Sequence, residues 1–97
     1  MRTLNCNVKG KLENKKYQEL VTLCNQCLER ISDLAPSDND VKLVIDEEKD
    51  HYLASLHVAS IGLTLDLQNE AKSPFMAVEG ITKEALQNIQ KWSVLRG

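Results

Sequence analysis

Apolar and polar residues alternate along this chain with two different periods, and the changes of period mark out six elements. Leu4, Cys6 and Val8 alternate with Thr3, Asn5 and Asn7, the period-2 pattern of a half-buried strand. Gly10 ends it. From Tyr17 the apolar positions follow helical spacing: Tyr17, Leu20, Val21, Cys24, Cys27, Leu28, Ile31 and Leu34 fall on one stripe. Asn14 is placed to cap this helix. Pro36, in the turn-rich run Ala35-Pro36-Ser37-Asp38-Asn39-Asp40, stops it.

Period 2 then returns. Val41, Leu43 and Ile45 alternate up to the acidic turn Asp46-Glu47-Glu48-Lys49-Asp50. Tyr52, Ala54, Leu56 and Val58 make the inner face of a third strand, with His51, Ser55 and His57 on its other face and Leu53 breaking that polarity. Ala59-Ser60 is predicted as a turn. Ile61, Leu63, Leu65 and Leu67 then alternate with Gly62, Thr64, Asp66 and Gln68, and Asn69 to Lys72 is predicted as loop. Ser73-Pro74 opens the last helix, with Ser as N-cap and Pro at the first helical position. Phe75, Val78, Thr82, Ala85, Ile89 and Trp92 form its apolar stripe, flanked by Ile81 and Leu86.

Each element has one apolar face, so burial requires layers. The order β-α-β-β-β-α predicts an α+β two-layer sandwich: a four-stranded mixed sheet with two helices packed on one face. The strand-helix-strand start predicts a right-handed parallel crossover. The two short connections that follow predict an antiparallel meander. The other sheet face is expected to be polar and solvated. Residues 1–97 are read as a single domain, large enough for one core.

Composition narrows the function classes. Aromatics make up 4% of the chain, so the core is mainly aliphatic. No apolar run approaches the roughly 20 residues of a membrane helix, and no membrane partner is expected. The first residues lack a signal-peptide apolar stretch. Three cysteines, an odd number, are then expected to be reduced thiols in the cytoplasm.

Cys24-Asn25-Gln26-Cys27 matches C-x-x-C, but a redox pair of this type sits at a helix N-terminus, where the dipole lowers a thiol pKa. Here the pair lies in mid-helix on the apolar stripe. Cys6 points the same way by strand alternation, so all three are read as buried structural thiols. A zinc site needs four ligands, and no second C-x-x-C or H-x₃₋₅-H is present. His51 and His57 share a strand face about 20 Å apart, at roughly 3.3 Å per residue, too far for one metal. They are read as exposed sheet histidines. No nucleophile triad, phosphate loop or catalytic carboxylate pair is present. The expectation is a non-enzyme with no metal, no cofactor and no small-molecule substrate.

Net charge is −2, which gives no global attraction to nucleic acid. Its distribution along the sequence is uneven. Residues 1–16 hold Arg2, Lys9, Lys11, Lys15 and Lys16 against Glu13, a net +4. Residues 33–50 hold seven acids against Lys42 and Lys49, a net −5. That contrast predicts a polarised molecule. On the last helix Lys83, Gln87 and Lys91 recur every four residues, opposite the apolar stripe, and Arg96 follows. The outer side of the first helix, with Gln18, Glu19, Thr22, Gln26 and Glu29, is neutral to acidic. These lysines fit either a solubilising surface or a phosphate-contacting patch.

The segment Ala54-Ser55-Leu56-His57-Val58, the alternating run Ile61 to Leu67, and the helix entry Phe75-Met76-Ala77-Val78-Glu79 resemble the ribosome hibernation-promoting factors, also known as ribosome-associated inhibitors. The helix entry is similar to that family's aromatic-x-Ala-aliphatic-acidic motif, and the element order is similar over nearly the whole chain. The resemblance implies a cofactor-free cytoplasmic protein. It would bind the small ribosomal subunit at the messenger and transfer RNA channel and inhibit translation in idle cells. It also implies a short form without a C-terminal dimerisation domain. The nucleic-acid-binding residues it points to are Lys9, Lys11, Lys15, Lys16, Lys83, Lys91 and Arg96. Members of that family usually carry Lys and Arg along both helices; Glu84 and Gln87 depart from that pattern. A protein-interaction module of the same fold therefore stays open as an alternative. A double-stranded-RNA-binding module ranks lower, because Ser73-Pro74-Phe75-Met76 lacks its basic helix start.

Overall fold

A computed structural model of the chain describes residues 3–10, 12–35 and 38–96, with the backbone alone at residues 95 and 96. The elements are β1 (Thr3–Lys9), α1 (Asn14–Leu34), β2 (Asp40–Glu47), β3 (Tyr52–Ser60), β4 (Leu63–Ala71) and α2 (Pro74–Arg96). The four strands form one sheet in the order β1-β2-β3-β4. β1 runs parallel to β2, while β2–β3 and β3–β4 are antiparallel. Both helices pack against the strands and against each other, as the period changes predict.

The core is aliphatic. Leu20, Cys24, Leu28 and Ile31 of α1 and Val78, Ile81, Ala85 and Ile89 of α2 are buried over Val41, Leu43, Ile45, Ala54, Leu56 and Val58 of the sheet. At roughly 25 cal/mol per Å² of apolar surface removed from water, this interlayer is the main source of stability. Among the described residues three polar ones are buried with it, and two of them hold each other. Ser32 donates its hydroxyl to Asn39 Oδ1 at 2.7 Å, and Asn39 Nδ2 donates to the Ser32 carbonyl at 3.0 Å. This ties the C-terminal turn of α1 to the entry of β2. The third, Thr82, donates its hydroxyl to the Val78 carbonyl at 2.7 Å.

Helix starts differ from expectation at one end only. Glu13, not Asn14, occupies the N-cap of α1, and no side chain caps it. At α2 the predicted cap is present: Phe75 N–H donates to Ser73 Oγ at 3.2 Å. The β3–β4 connection also differs. Ala59 and Ser60 belong to β3, and Ile61-Gly62 is the turn, with Ser60 opposite Leu63. Gly62 takes the left-handed step at φ 84, which a side chain would resist. Ile61 is therefore 82% exposed instead of continuing a strand. β4 runs on to Ala71, where Asn69, Glu70 and Ala71 pair with Ala54, Leu53 and Tyr52, residues expected to be loop.

Four further inward assignments are only partly met. Tyr17 and Leu34, on the apolar stripe of α1, are 44% and 50% exposed, Leu4 is 38% exposed, and Cys6 is half-buried. Leu4, Cys6 and Tyr17 lie at the rim of the sandwich, where β1 is an edge strand and α1 covers it incompletely, and Leu34 is the last residue of its helix.

Candidate nucleic-acid interface

Chain direction decides where the basic residues sit. β1, β2 and β4 end at one end of the sheet, here the upper end, and both helices run back toward the lower end. A hydrogen bond from Trp92 Nε1 to the Gly62 carbonyl at 2.8 Å ties the last turns of α2 to the lower β3–β4 turn. Lys9 closes β1 at the upper end, and Lys15 and Lys16 lie in the first turn of α1 there, all three exposed. Lys83 lies midway along α2. Lys91 is eight residues farther on, roughly 12 Å at 1.5 Å per residue, and both are exposed. Lys11 lies outside the described residues, as does the Arg96 side chain.

Lys9, Lys15 and Lys16 share the upper end, with Lys9 on the side of β1 that faces away from the helices, and Lys91 lies about 26 Å down the helix layer, again at 1.5 Å per residue. The expected polarisation does not survive folding. The acidic run is divided between the two ends, with Asp33, Asp38 and Asp40 below and Asp46 to Asp50 above. The register sets Lys9 beside Asp46. Glu47 lies so close to Gly10 that a Cβ there would overlap its side chain. Parallel pairing of β1 with β2 thus mixes charges that the sequence keeps apart.

A groove between the helices sets Arg30, which sequence reasoning missed, with the expected Lys83. Leu23, Cys27 and Arg30 of α1 face Glu79, Thr82, Lys83 and Leu86 of α2 around an open cavity of about 370 Å³. Arg30 and Lys83 thus bring a guanidinium and an ammonium to one trough, with Glu79 between the same walls. A guanidinium is suited to paired contacts with phosphate oxygens and an ammonium to a point contact. Arg30 follows Leu23 and Cys27 at i+7 and i+3, so helical spacing alone places it on that wall. The groove was not visible from the sequence because it needs the helices side by side.

The open sheet face is polar, as alternation predicts. Asn5, Lys42, His57 and Asp66 line up across the four strands. His57 Nδ1 lies 2.6 Å from Asp66 Oδ1, and His51 Nε2 lies 3.7 Å from Glu70 Oε1. A carboxylate can only accept, so Nδ1 of His57 carries the hydrogen. These pairings depend on the β3–β4 register, which the sequence pattern does not carry. Among the described residues, no group of three or more His, Cys, Asp or Glu side chains could hold a metal.

The three thiols are free. Interaction with the Cys6 side chain pushes the Cys24 thiol up, with burial adding in the same direction, and the Cys24 side chain draws the Cys6 thiol below its ordinary range against the opposing effect of burial. No helix is long and apolar enough to cross a membrane among the described residues.

This order of elements, with two parallel helices on one face of a four-stranded mixed sheet, defines a small α+β sandwich. Solved structures share it along nearly their whole length. One is a ribosomal subunit interface protein from Coxiella burnetii, with a TM-score of 0.68, 13% identity, and coverage of 97% of this chain and 99% of that one. Another is the N-terminal domain of Thermus thermophilus Protein Y, with a TM-score of 0.71, 12% identity, and coverage of 95% and 99%. At these identities the likeness is one of fold. No protein-family model matches the chain, and no curated protein matches it by sequence.

Proposed function

We propose that this chain is a ribosome-associated protein of the cytoplasm, without enzymatic activity, that binds the small subunit at the messenger and transfer RNA channel and inhibits translation in idle cells. The observation that supports this most is the shared fold, which extends over 97% of this chain and 99% of a protein named for the ribosomal subunit interface. The helix layer is the contacting side in this reading. Lys15 and Lys16 meet phosphate at its upper end, Lys83 at the groove and Lys91 toward its lower end, Lys9 adds a cation at the upper edge, and Lys11 and Arg96 join the proposal from the sequence alone. Arg30 joins Lys83 at the groove.

Phosphate contacts release counterions, so affinity falls with salt roughly in proportion to the number of contacts. With net charge −2 and few cations per helix, the expected salt slope is shallower than a strongly basic RNA binder would give. The test is co-sedimentation with ribosomes and isolated small subunits at two salt concentrations. Association at low salt that is lost at high salt supports the reading. Lys83→Glu with Lys91→Glu should abolish it and leave stability within about 0.5 kcal/mol, because both side chains are exposed. Wild-type protein that never co-sediments at low salt would refute it.

One observation favours a second reading, a protein-interaction module of the same fold. The outward side of α1 carries Gln18, Glu19, Thr22, Gln26 and Glu29, all exposed and none basic. A pull-down that recovers a protein partner, with no RNA dependence and no ribosome association, would put that reading first.

A further inference from the structure

The sheet has two edges, and they are not equally protected. β4 carries Asp66 and Glu70 and is followed by Lys72, charges of the kind that keep strand edges apart. β1 has no charge before Lys9, no proline, and a register with β2 unbroken from Thr3 to Lys9. Among the described residues β2 is its only strand partner.

The hydrogen-bond directions in β1 follow from one contact. Thr3 N–H donates to the Asn39 carbonyl at 3.0 Å. Alternation along a parallel ladder then turns Asn5, Asn7 and Lys9 toward β2. It leaves the N–H and C=O groups of Leu4, Cys6 and Val8 directed away from the sheet.

Those same three residues point their side chains at the helix layer but are incompletely covered. Leu4 is 38% exposed and Cys6 and Val8 are half-buried, whereas Val41, Leu43 and Ile45 in the next strand are fully buried. Tyr17, 44% exposed, lies on the helical face of Cys24 and two turns ahead of it. An unpaired backbone edge and an apolar strip therefore run together.

The strand is also its own complement. Leu4-Asn5-Cys6-Asn7-Val8 reads the same by chemical type in both directions about Cys6. We propose that this edge is occupied by a second copy of the chain, with β1 pairing antiparallel to the partner's β1 about Cys6 to make one continuous twofold-symmetric sheet.

In that register Leu4 faces the partner's Val8 and Cys6 faces the partner's Cys6. These are the residues whose backbone groups point outward, so each pair exchanges both hydrogen bonds. Asn5 faces the partner's Asn7 on the open face, where their amides can bond. Lys9 falls opposite the partner's Thr3, so within β1 no like charges are paired. Pairing β1 with β4 instead would oppose this apolar strand to an acidic one. It would also be heterologous, leaving free edges that extend into filaments, whereas the twofold pairing closes.

One strand pair buries little surface, so association is weak. Sedimentation equilibrium of the full chain from about 10 μM to about 1 mM spans the range. The expected result is a rise from 10.9 kDa toward twice that mass and no further. Amide exchange by NMR should show Leu4, Cys6 and Val8 gaining protection with concentration, while Asn5 and Asn7 stay protected throughout. Asn5→Lys with Asn7→Lys sets lysine opposite lysine twice on the solvent face and should weaken association about tenfold, with an unchanged melting temperature confirming the fold. A mass that stays monomeric to 1 mM, growth beyond a dimer, or dimerisation unaffected by the double variant would overturn the proposal. None of these outcomes depends on ribosome binding.

Discussion

Gly80→Ala should destabilise this protein, although it replaces glycine by alanine inside a helix. Gly80 lies in the second turn of α2, against β4. A methyl group there would overlap Nδ2 of Asn69 and lie 3.2 Å from its Cγ. Asn69 is an inward residue of β4 whose Nδ2 donates to the Ala77 carbonyl at 3.1 Å, so its amide is not free to swing aside. Helix propensity alone favours Ala by about 1 kcal/mol. Against that stand the lost hydrogen bond and the half-buried amide left without it, about 1–3 kcal/mol, together with the strain of reseating β4. The net expectation is a loss of about 1–2 kcal/mol, a fall in melting temperature of roughly 4–12 °C for a domain of this size. Thermal and urea denaturation of a double-mutant cycle measures it. Asn69→Ala costs stability by itself, but Gly80→Ala on that background should be stabilising, which gives a coupling of about 2 kcal/mol. If Gly80→Ala raises the melting temperature in the wild-type background, the close packing of α2 on β4 at this point is wrong.

Four other outcomes follow from contacts already described. Asn39→Ala removes both bonds to Ser32 and should cost about 1–3 kcal/mol, read from urea denaturation. Cys24→Ala removes fully buried volume and should cost about 1 kcal/mol or more; an unchanged midpoint would contradict its packing. In the native protein a thiol reagent should label Cys6 first, and Cys24 only at the rate of opening, as mass mapping of the labelled peptides can show. Arg30→Glu should weaken ribosome co-sedimentation about as much as Lys83→Glu, since both line the same groove; equal binding by wild type and Arg30→Glu would remove the groove from the interface.

How much of this was legible in the sequence depends on whether a feature is local. Alternation found β1, β2 and β3, helical spacing found both helices, and Ser73-Pro74 located the start of α2 to the residue, because the cap and the first turn lie within four positions. Ile61 was misassigned because the apolar alternation continues through the turn, and Gly62 decides the conformation there instead. The extension of β4 to Ala71 was hidden because Asn69 and Glu70 are poor strand formers held by pairing with β3. Tyr17 and Cys6 were placed inside because periodicity reports which way a side chain points, not how far its neighbours extend over it. The groove of Arg30 and Lys83, the His57–Asp66 pair and the division of the acidic run all arise from pairings between distant segments, which no periodic pattern encodes.

The lone parallel ladder has a consequence for the order in which the molecule comes apart. β2, β3 and β4 are joined by short turns, so their contacts close small loops; β1 reaches β2 only after the 21-residue helix α1 is laid across the sheet. Closing that longer loop costs more chain entropy, and the strand it adds is held on one side only. β1 is therefore the element that docks last and detaches most readily, at a free energy below that of global unfolding. Its departure would uncover Cys24, which Cys6 contacts in the closed state. The rate at which Cys24 becomes reactive is then a clock for the opening of one strand, readable in a protein that remains otherwise folded.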